Sequence, residues 1–216
     1  MLQCYEYPRS AFQTNIQGTF NVLEVCVVQG VKRLVFSSSA SVYGDALEEP
    51  MTEAHPFNNR TFYGATKIAG KAMATAYHHR YGLPFLGLRY MNVYGPRQDY
   101  RGAYIAVIMK MLDALDKGQP MTLYGDGSRA YDFVYAEDCA AANICAMKED
   151  TVDEMNIIMW VLGNAPVFLE LAKEIQKVTG TSNNIQFLPQ GTTFVKNRIG
   201  CPKKAAEQIA FKAEVV

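Results

Sequence analysis

Between residues 11 and 29 the apolar side chains Phe12, Ile16, Phe20, Leu23 and Val27 recur every three or four positions, and Gly30 follows them. That spacing gathers them on one stripe and predicts an amphipathic helix over 11–29. Next comes a short apolar run, Arg33-Leu-Val-Phe36, which opens into Ser37-Ser-Ser39, the pattern of a buried parallel strand ending in a polar loop. An alanine-rich helix is predicted over 63–81 and stops at Gly82-Leu-Pro84, and a second buried strand over 85–89 follows directly. Helix, strand, helix, strand in alternation points to an α/β fold, a parallel sheet joined by crossover helices.

Beyond Pro96 the pattern predicts a helix over 103–117, a strand over 122–124, the turn Gly125-Asp-Gly127, a strand over 132–135 and a helix over 137–147. The last quarter carries a helix over 169–179 before Gly180, a strand over 185–188 and mixed loops, and the chain shows no internal repeat or low-complexity linker.

Composition narrows the classes. With 216 residues, 49% hydrophobic, the chain has apolar material for one globular domain or a domain with a small appendage. Lys plus Arg and Asp plus Glu are equal at 21 each, so no net field draws the chain to nucleic acid or an anionic membrane. Cys4, Cys26, Cys139, Cys145 and Cys201 are scattered and contain no CxxC pair, which argues against a disulfide framework or a zinc site and for reduced thiols. His78 and His79 lack a third ligand at suitable spacing, so they read as surface residues and no metal is expected. Residues 1–8 show neither a basic n-region nor an apolar h-region, and no apolar stretch reaches membrane length; a cytoplasmic protein is expected.

Candidate chemistry sits in two places. Tyr63 and Lys67 are four apart at the start of the second predicted helix, so both side chains lie on one face and an ammonium stands beside a phenol. A phenol of ordinary pKa about 10 is a poor base at neutral pH; a neighbouring cation favours the phenolate, and Tyr63 can then take a proton from a hydroxyl. Alone the pair is weak, since 13 tyrosines would produce such a spacing about once by chance. The second place is Ser37-Ser-Ser-Ala-Ser-Val-Tyr-Gly44, directly after a buried strand, where parallel sheets bind ligands. A serine there can hydrogen-bond a reacting hydroxyl, or simply cap the strand end, and the residues leave both open.

Four segments in order, Asn15-Ile-Gln-Gly-Thr19, SSSASVYG (37–44), YGATK (63–67) and LRYMNVYGP (88–96), resemble the extended short-chain dehydrogenase/reductase family, and within it the NAD-dependent nucleotide-sugar epimerases and dehydratases, UDP-glucose 4-epimerases above all. The resemblance runs from about Ala11 to Ala210. It implies a Rossmann-type parallel sheet over 1–96 and a nucleotide-sugar-binding part over 97–216, with about 132–147 returning to the sheet. It further implies Ser39 as catalytic hydroxyl, Tyr63 as acid/base, and Lys67 as the residue that holds the nicotinamide ribose and lowers the tyrosine pKa. Ser37, Ser38 and Tyr90 fall on the cofactor side, and Ser39, Ala40, Ser41 and Asn92 on the sugar side. Arg198 matches a family arginine near the diphosphate. Tyr131 stands where another arginine is usual, and Arg129, two residues earlier on the same side of an extended strand, is the expected substitute. The uncharged pair Ala40 and Ser41 occupies positions where sugar dehydratases and decarboxylases usually carry an acid, which favours C4 epimerisation of a UDP-hexose. A dehydratase or reductase, or an inactive remnant serving as a binding or dimerisation module, are the rival readings. In the family the helices corresponding to 11–29 and 63–81 form a homodimer interface, so a homodimer is implied here.

One departure has physical weight. The Gly-x-x-Gly-x-x-Gly turn, whose backbone amides and helix dipole hold a dinucleotide pyrophosphate, is nowhere in these residues. The resemblance thus implies a fragment without the first βαβ half. The 216-residue chain by itself is expected to bind NAD poorly, and a calorimetric dissociation constant of micromolar or tighter would refute this.

Overall fold

The structure is a computed structural model and describes residues 2–98, 106–148, 157–160, 166–189 and 197–214. Helices α1 (Leu2–Glu6) and α2 (Pro8–Phe12) lead into a π-helical segment, Gln13–Gln17, and α3 (Gly18–Val28). The helix expected over 11–29 therefore begins earlier, at Pro8, where a missing N–H costs nothing and φ is preset. It is also widened at 13–17, a local change that apolar spacing does not reveal. Strand β1 (Leu34–Ser39), a 3₁₀ turn (Ala40–Val42), α4 (Phe62–Tyr81), β2 (Phe85–Tyr90) and β3 (Asn92–Tyr94) follow. Then come α5 (Val107–Asp116), β4 (Met121–Tyr124), β5 (Phe133–Tyr135), α6 (Ala136–Lys148), β6 (Ile157–Trp160), α7 (Phe168–Thr179), β7 (Ile185–Leu188) and α8 (Lys203–Ile209). The helix expected over 103–117 is seen from Val107; residues 103–105 lie outside the described set. Strand β3 and helix α8 were not expected, because three and seven residues are too few to show a period.

A parallel sheet in the order β1-β2-β6 forms the centre. Strands β1 and β2 run in register from Leu34↔Phe85 to Ser39↔Tyr90, so Ser37–Ser39 continue the strand instead of leaving it as a loop. Side chains alternate between its faces. Leu34, Phe36 and Phe85 pack with Leu23, Cys26 and Ala74 under α3 and α4. On the other face Val35, Leu86 and Leu88 meet Ala142, Ala146, Ala205 and Ile209 of α6 and α8. Burial from both sides is why β2 reads as an unbroken apolar run. Two smaller parallel pairs, β3 with β5 and β4 with β7, lie beside this sheet, and α5 and α7 cover β4 around Met111, Met121, Leu123, Phe168 and Ala172.

The start of α4 is fastened tightly. Thr61 is its N-cap: the extended backbone lets Oγ1 accept the Gly64 N–H at 3.0 Å, while Asn59 Oδ1 accepts from the Thr61 N–H at 2.9 Å. Thr66 is fully buried and ties α4 to the π segment: its hydroxyl donates to the Tyr63 carbonyl at 2.7 Å and accepts from Asn15 Nδ2 at 3.1 Å. Helix and strand end approach so closely that a Cβ on Gly64 would sit 2.4 Å from the Ser41 carbonyl oxygen and 2.1 Å from Asn59 Oδ1. Gly64→Ala is therefore expected to lower the urea-unfolding free energy by about 2 kcal/mol, although alanine is the better helix former. An unchanged or raised unfolding midpoint would show that the strand end yields.

Candidate active site

Ser39 closes β1, and its Oγ accepts the Ser41 N–H at 3.1 Å, which turns the chain into the 3₁₀ segment. Tyr63, in the first turn of α4, is hydrogen-bonded to the Ser39 side chain. One turn on, Lys67 Nζ donates to the Ser37 carbonyl at 2.9 Å and lies 5.7 Å from the Tyr63 ring centroid. Strand end and helix start thus bring Ser39, Tyr63 and Lys67 together.

Electrostatics correct one expectation. Burial pushes the Tyr63 phenol above its ordinary value, opposed by the Ser39 hydrogen bond and, more weakly, by the charge of Arg198, while Cys4 pushes it up. Lys67 is not among the groups that move it, and burial lowers the ammonium's own pKa. The lysine is near the phenol, but it is partly desolvated and directs a hydrogen bond to a backbone oxygen, so the pair as it stands does not make Tyr63 acidic.

Ser39, Ser41, Tyr63, Asn92, Arg129 and Arg198 all line one cavity of 430 Å³. Ser41 is buried at its edge. Both arginines are only 8% exposed, so neither is a solvated surface residue. The guanidinium of Arg198 lies over the Tyr131 ring at 6.0 Å, and its Nε is buried without a hydrogen-bond partner among the described residues. Asn92 donates through Nδ2 to the Asp132 carbonyl at 2.9 Å. Spacing along an extended segment was enough to bring Arg129 and Tyr131 to the same wall.

Four of the expected residues lie outside this cavity. Ala40 is 1% exposed and packs in the apolar core with Val42 and Leu88, so it does not line this cavity. Tyr90 points toward α6, where its hydroxyl accepts from Asn143 Nδ2 at 2.7 Å. Ser38 is buried in the strand, and Ser37 presents its carbonyl to Lys67.

Some contributors escaped the sequence reading. Lys110 of α5 adds a third cation to the cavity wall, and Tyr124, Phe133 and Phe168 give it an aromatic side. Arg89, 2% exposed, lies over the rings of Tyr43 (4.8 Å) and Phe57 (5.1 Å), donates to the Tyr43 hydroxyl, and donates to the Glu53 carbonyl at 3.0 Å. It braces the loop behind Ser39–Ser41. Its position inside a buried strand, one residue before Tyr90, was the available signal. Among the described residues no cluster of His, Cys, Asp or Glu could hold a metal ion, all five cysteines are free, and no helix is long and apolar enough to cross a membrane.

A parallel sheet whose strand end presents Ser39 to a helix-borne Tyr63 and Lys67 defines a class, and comparison with known proteins gives it a name. The sequence pattern described as the NAD dependent epimerase/dehydratase family matches residues 2–158, and the chain belongs to that family. It is 31% identical over 219 residues to UDP-glucuronic acid decarboxylase 1 of Arabidopsis thaliana, covering 98% of this chain and 48% of the relative. Among solved structures, UDP-N-acetylglucosamine 4-epimerase from Methanobrevibacter ruminantium, in complex with UDP-N-acetylmuramic acid, superposes with a TM-score of 0.92 at 30% identity, over 98% of this chain and 67% of that one. UDP-glucose 4-epimerase of Thermus thermophilus, in complex with NAD, gives 0.84 at 29% identity, over 99% and 69%. The central sheet is the Rossmann-type sheet of these enzymes. The chain spans about half the length of the curated relatives it matches, 44% and 48% of two of them.

In the unliganded chain the Tyr63 phenol is expected to ionise above pH 10, the ordinary value, and Arg198→Gln to move it higher still. NMR titration of ring-labelled tyrosine with Tyr63→Phe as the assignment control checks this; ionisation of Tyr63 near neutral pH would contradict it.

Proposed function

We propose that the chain is the catalytic and sugar-binding part of an NAD-dependent epimerase acting at C4 of a UDP-hexose. The observation that carries this reading is the cavity itself. It joins the hydrogen-bonded Ser39 and Tyr63 to Lys110, Arg129 and Arg198, and no Asp or Glu stands among the described residues of its wall. A buried guanidinium with an unpartnered Nε needs an anion, and a diphosphate meets its donors bidentately. The aromatic side offers a flat apolar surface for a base. Relatives that bind UDP-sugars share the whole fold.

The residues present fit the nicotinamide-ribose end of NAD. Lys67 carries N–H groups beyond the one given to Ser37, and a second cavity, of 460 Å³, lined by Cys4, Tyr7, Ser10, Thr14 and Asn15, opens on Tyr63. When bound, NAD⁺ supplies the hydride acceptor and a positive charge. Tyr63 then takes the proton of the sugar hydroxyl while Ser39 hydrogen-bonds the oxygen that becomes the keto group. The positive charge works against the desolvation that keeps the phenol protonated. Asn92 and the arginines hold the nucleotide part, so the hexose can present either face of C4 when the hydride returns. Epimerisation over dehydration or decarboxylation is favoured by the uncharged Ala40 and Ser41 after the strand end and by a wall that holds no Asp or Glu among the described residues. A homodimer fits the outer side of α3, where Phe20, Val22, Val25 and Val28 are exposed by 42%, 50%, 58% and 79%. A reducing cytoplasmic setting fits the free thiols.

With saturating NAD⁺, UDP-galactose is expected to yield UDP-glucose, and Tyr63→Phe to lower the rate at least about 100-fold. Arg198→Gln is expected to weaken calorimetric UDP-glucose binding about tenfold or more, while Tyr63→Phe leaves it within a few fold. A 4-keto-6-deoxy product, or carbon dioxide from UDP-glucuronate, would replace the epimerase reading with a dehydratase or decarboxylase; wild-type chain that does not bind UDP-glucose would end the nucleotide-sugar reading.

A further inference from the structure

Behind the cavity wall, Asp132 joins the two segments that bring Asn92 and Arg198 to the site. Its backbone N–H donates to the Arg198 carbonyl at 2.8 Å, and its carbonyl accepts from the Asn92 backbone at 3.2 Å and from Asn92 Nδ2 at 2.9 Å. Its carboxyl Oδ2 accepts the Gly200 N–H at 2.6 Å. The residue is fully buried, and Oδ1 has no hydrogen-bond partner among the described residues. A buried carboxyl with a single amide donor and no cation beside it is costly as a carboxylate. An apolar side chain would fill the space with less penalty, so packing alone does not account for the acid.

The charged and titratable groups on the elements bonded to it are few. Arg198 and Cys201 are on the segment bonded to it, Tyr94 on β3, and Arg129, Tyr131 and Tyr135 on its own stretch of chain; the loop bridged to Gly200 through Met51 carries Glu53 and His55. Asp132 makes an ion pair with none of them. Burial raises its carboxyl to about 6, and the Gly200 amide opposes that rise. The group is thus mostly protonated at about pH 5 and mostly ionised at about pH 7.5.

We propose that Asp132 is a positioning residue of the cavity, whose carboxyl anchors the Arg198 segment through Gly200 and takes up a proton when an anionic ligand fills the site. This rests on the nucleotide-sugar reading above. A diphosphate entering the cavity adds negative charge on the other side of Asn92 and Arg198 and occupies the field of the cations there. The ionised carboxyl then becomes less favourable in its low-dielectric surroundings, and by reciprocity the ligand binds more tightly when Asp132 is protonated. The ligand does not itself titrate near neutrality, because both phosphates of a UDP-sugar are esterified and strongly acidic. The described residues of the cavity wall include no His, Cys, Asp or Glu.

The test is calorimetric titration of this chain with UDP-glucose at about pH 5 and about pH 7.5, in buffers of different ionisation enthalpy so that protons taken up are counted. The wild type is expected to bind about fivefold more tightly at the lower pH and to take up a fraction of a proton between these limits. Asp132→Asn, whose amide oxygen can still accept from Gly200, is expected to bind within about threefold of wild type at the lower pH and to show neither pH dependence nor proton uptake. Asp132→Leu, which loses the anchor, is expected to bind about tenfold more weakly at both pH values. His55→Gln is expected to keep the wild-type slope, and it decides the assignment should Asp132→Asn not fold. UDP-glucose binding without pH dependence or proton uptake overturns the proposal and leaves the functional reading standing, as does a slope that survives Asp132→Asn or disappears in His55→Gln. Absence of UDP-glucose binding at both pH values overturns the two together.

Discussion

The first turn of α4 rests against the backbone that leaves β1, at a distance that admits a hydrogen atom and not a methyl group: a Cβ on Gly64 would lie 2.4 Å from the Ser41 carbonyl oxygen. Both partners are held independently. Strand β1 is held by its register with β2, and the helix start by Thr61, Asn59 and the Asn15–Thr66 bond to the π segment. Because neither can drift, the residues beside the contact are forced together, and Ser39 and Tyr63 meet in a hydrogen bond. A site built this way draws its geometry from rigid elements and needs no ordering of a loop to form.

The cavity that opens from this pair is electrostatically one-sided. Lys110, Arg129 and Arg198 face it, and among the described residues its wall holds no Asp or Glu, in a protein of zero formal net charge. Two of these cations are nearly inaccessible to water, which makes an incoming anion worth more to them than it would be at the surface. Tyr63 shares the same dry setting and is held neutral by it; the groups that pull its pKa down are Ser39 and Arg198, not the lysine one turn away. The Ser37 carbonyl keeps that lysine oriented along the strand end, where an ammonium can meet a polar ligand group.

Support for the site comes from residues that do not touch the cavity. Arg89 is sandwiched against Tyr43 and Phe57 on one side, and Asp132 ties Asn92 to the Arg198 segment on the other. Both are charged groups placed in the interior, and each is bonded to backbone of a segment that would otherwise be an unsupported loop. Such groups stabilise less than apolar packing would, and their presence makes sense as a means of holding those segments in one place.

Much of this was legible along the chain. The two-faced burial of β2 appears as an unbroken apolar run, the amphipathic stripes of α5 and α7 appear as three- and four-residue periods, and Gly82 and Gly180 end helices where their left-handed backbone is needed. The meeting of Ser39, Tyr63 and Lys67 was reached through motif order, because local spacing on a helix and the polar end of a parallel strand are both short-range facts. Only the fold decided the rest. Ala40 turned to the core and Ser41 to the cavity through a single 3₁₀ turn, Tyr90 turned to α6, and Lys110, Phe168 and Arg198 arrived from elements far apart in the chain. The direction of the Tyr63 shift was equally beyond reach, since desolvation depends on everything that surrounds a phenol, whereas the four-residue spacing to Lys67 reports one neighbour alone.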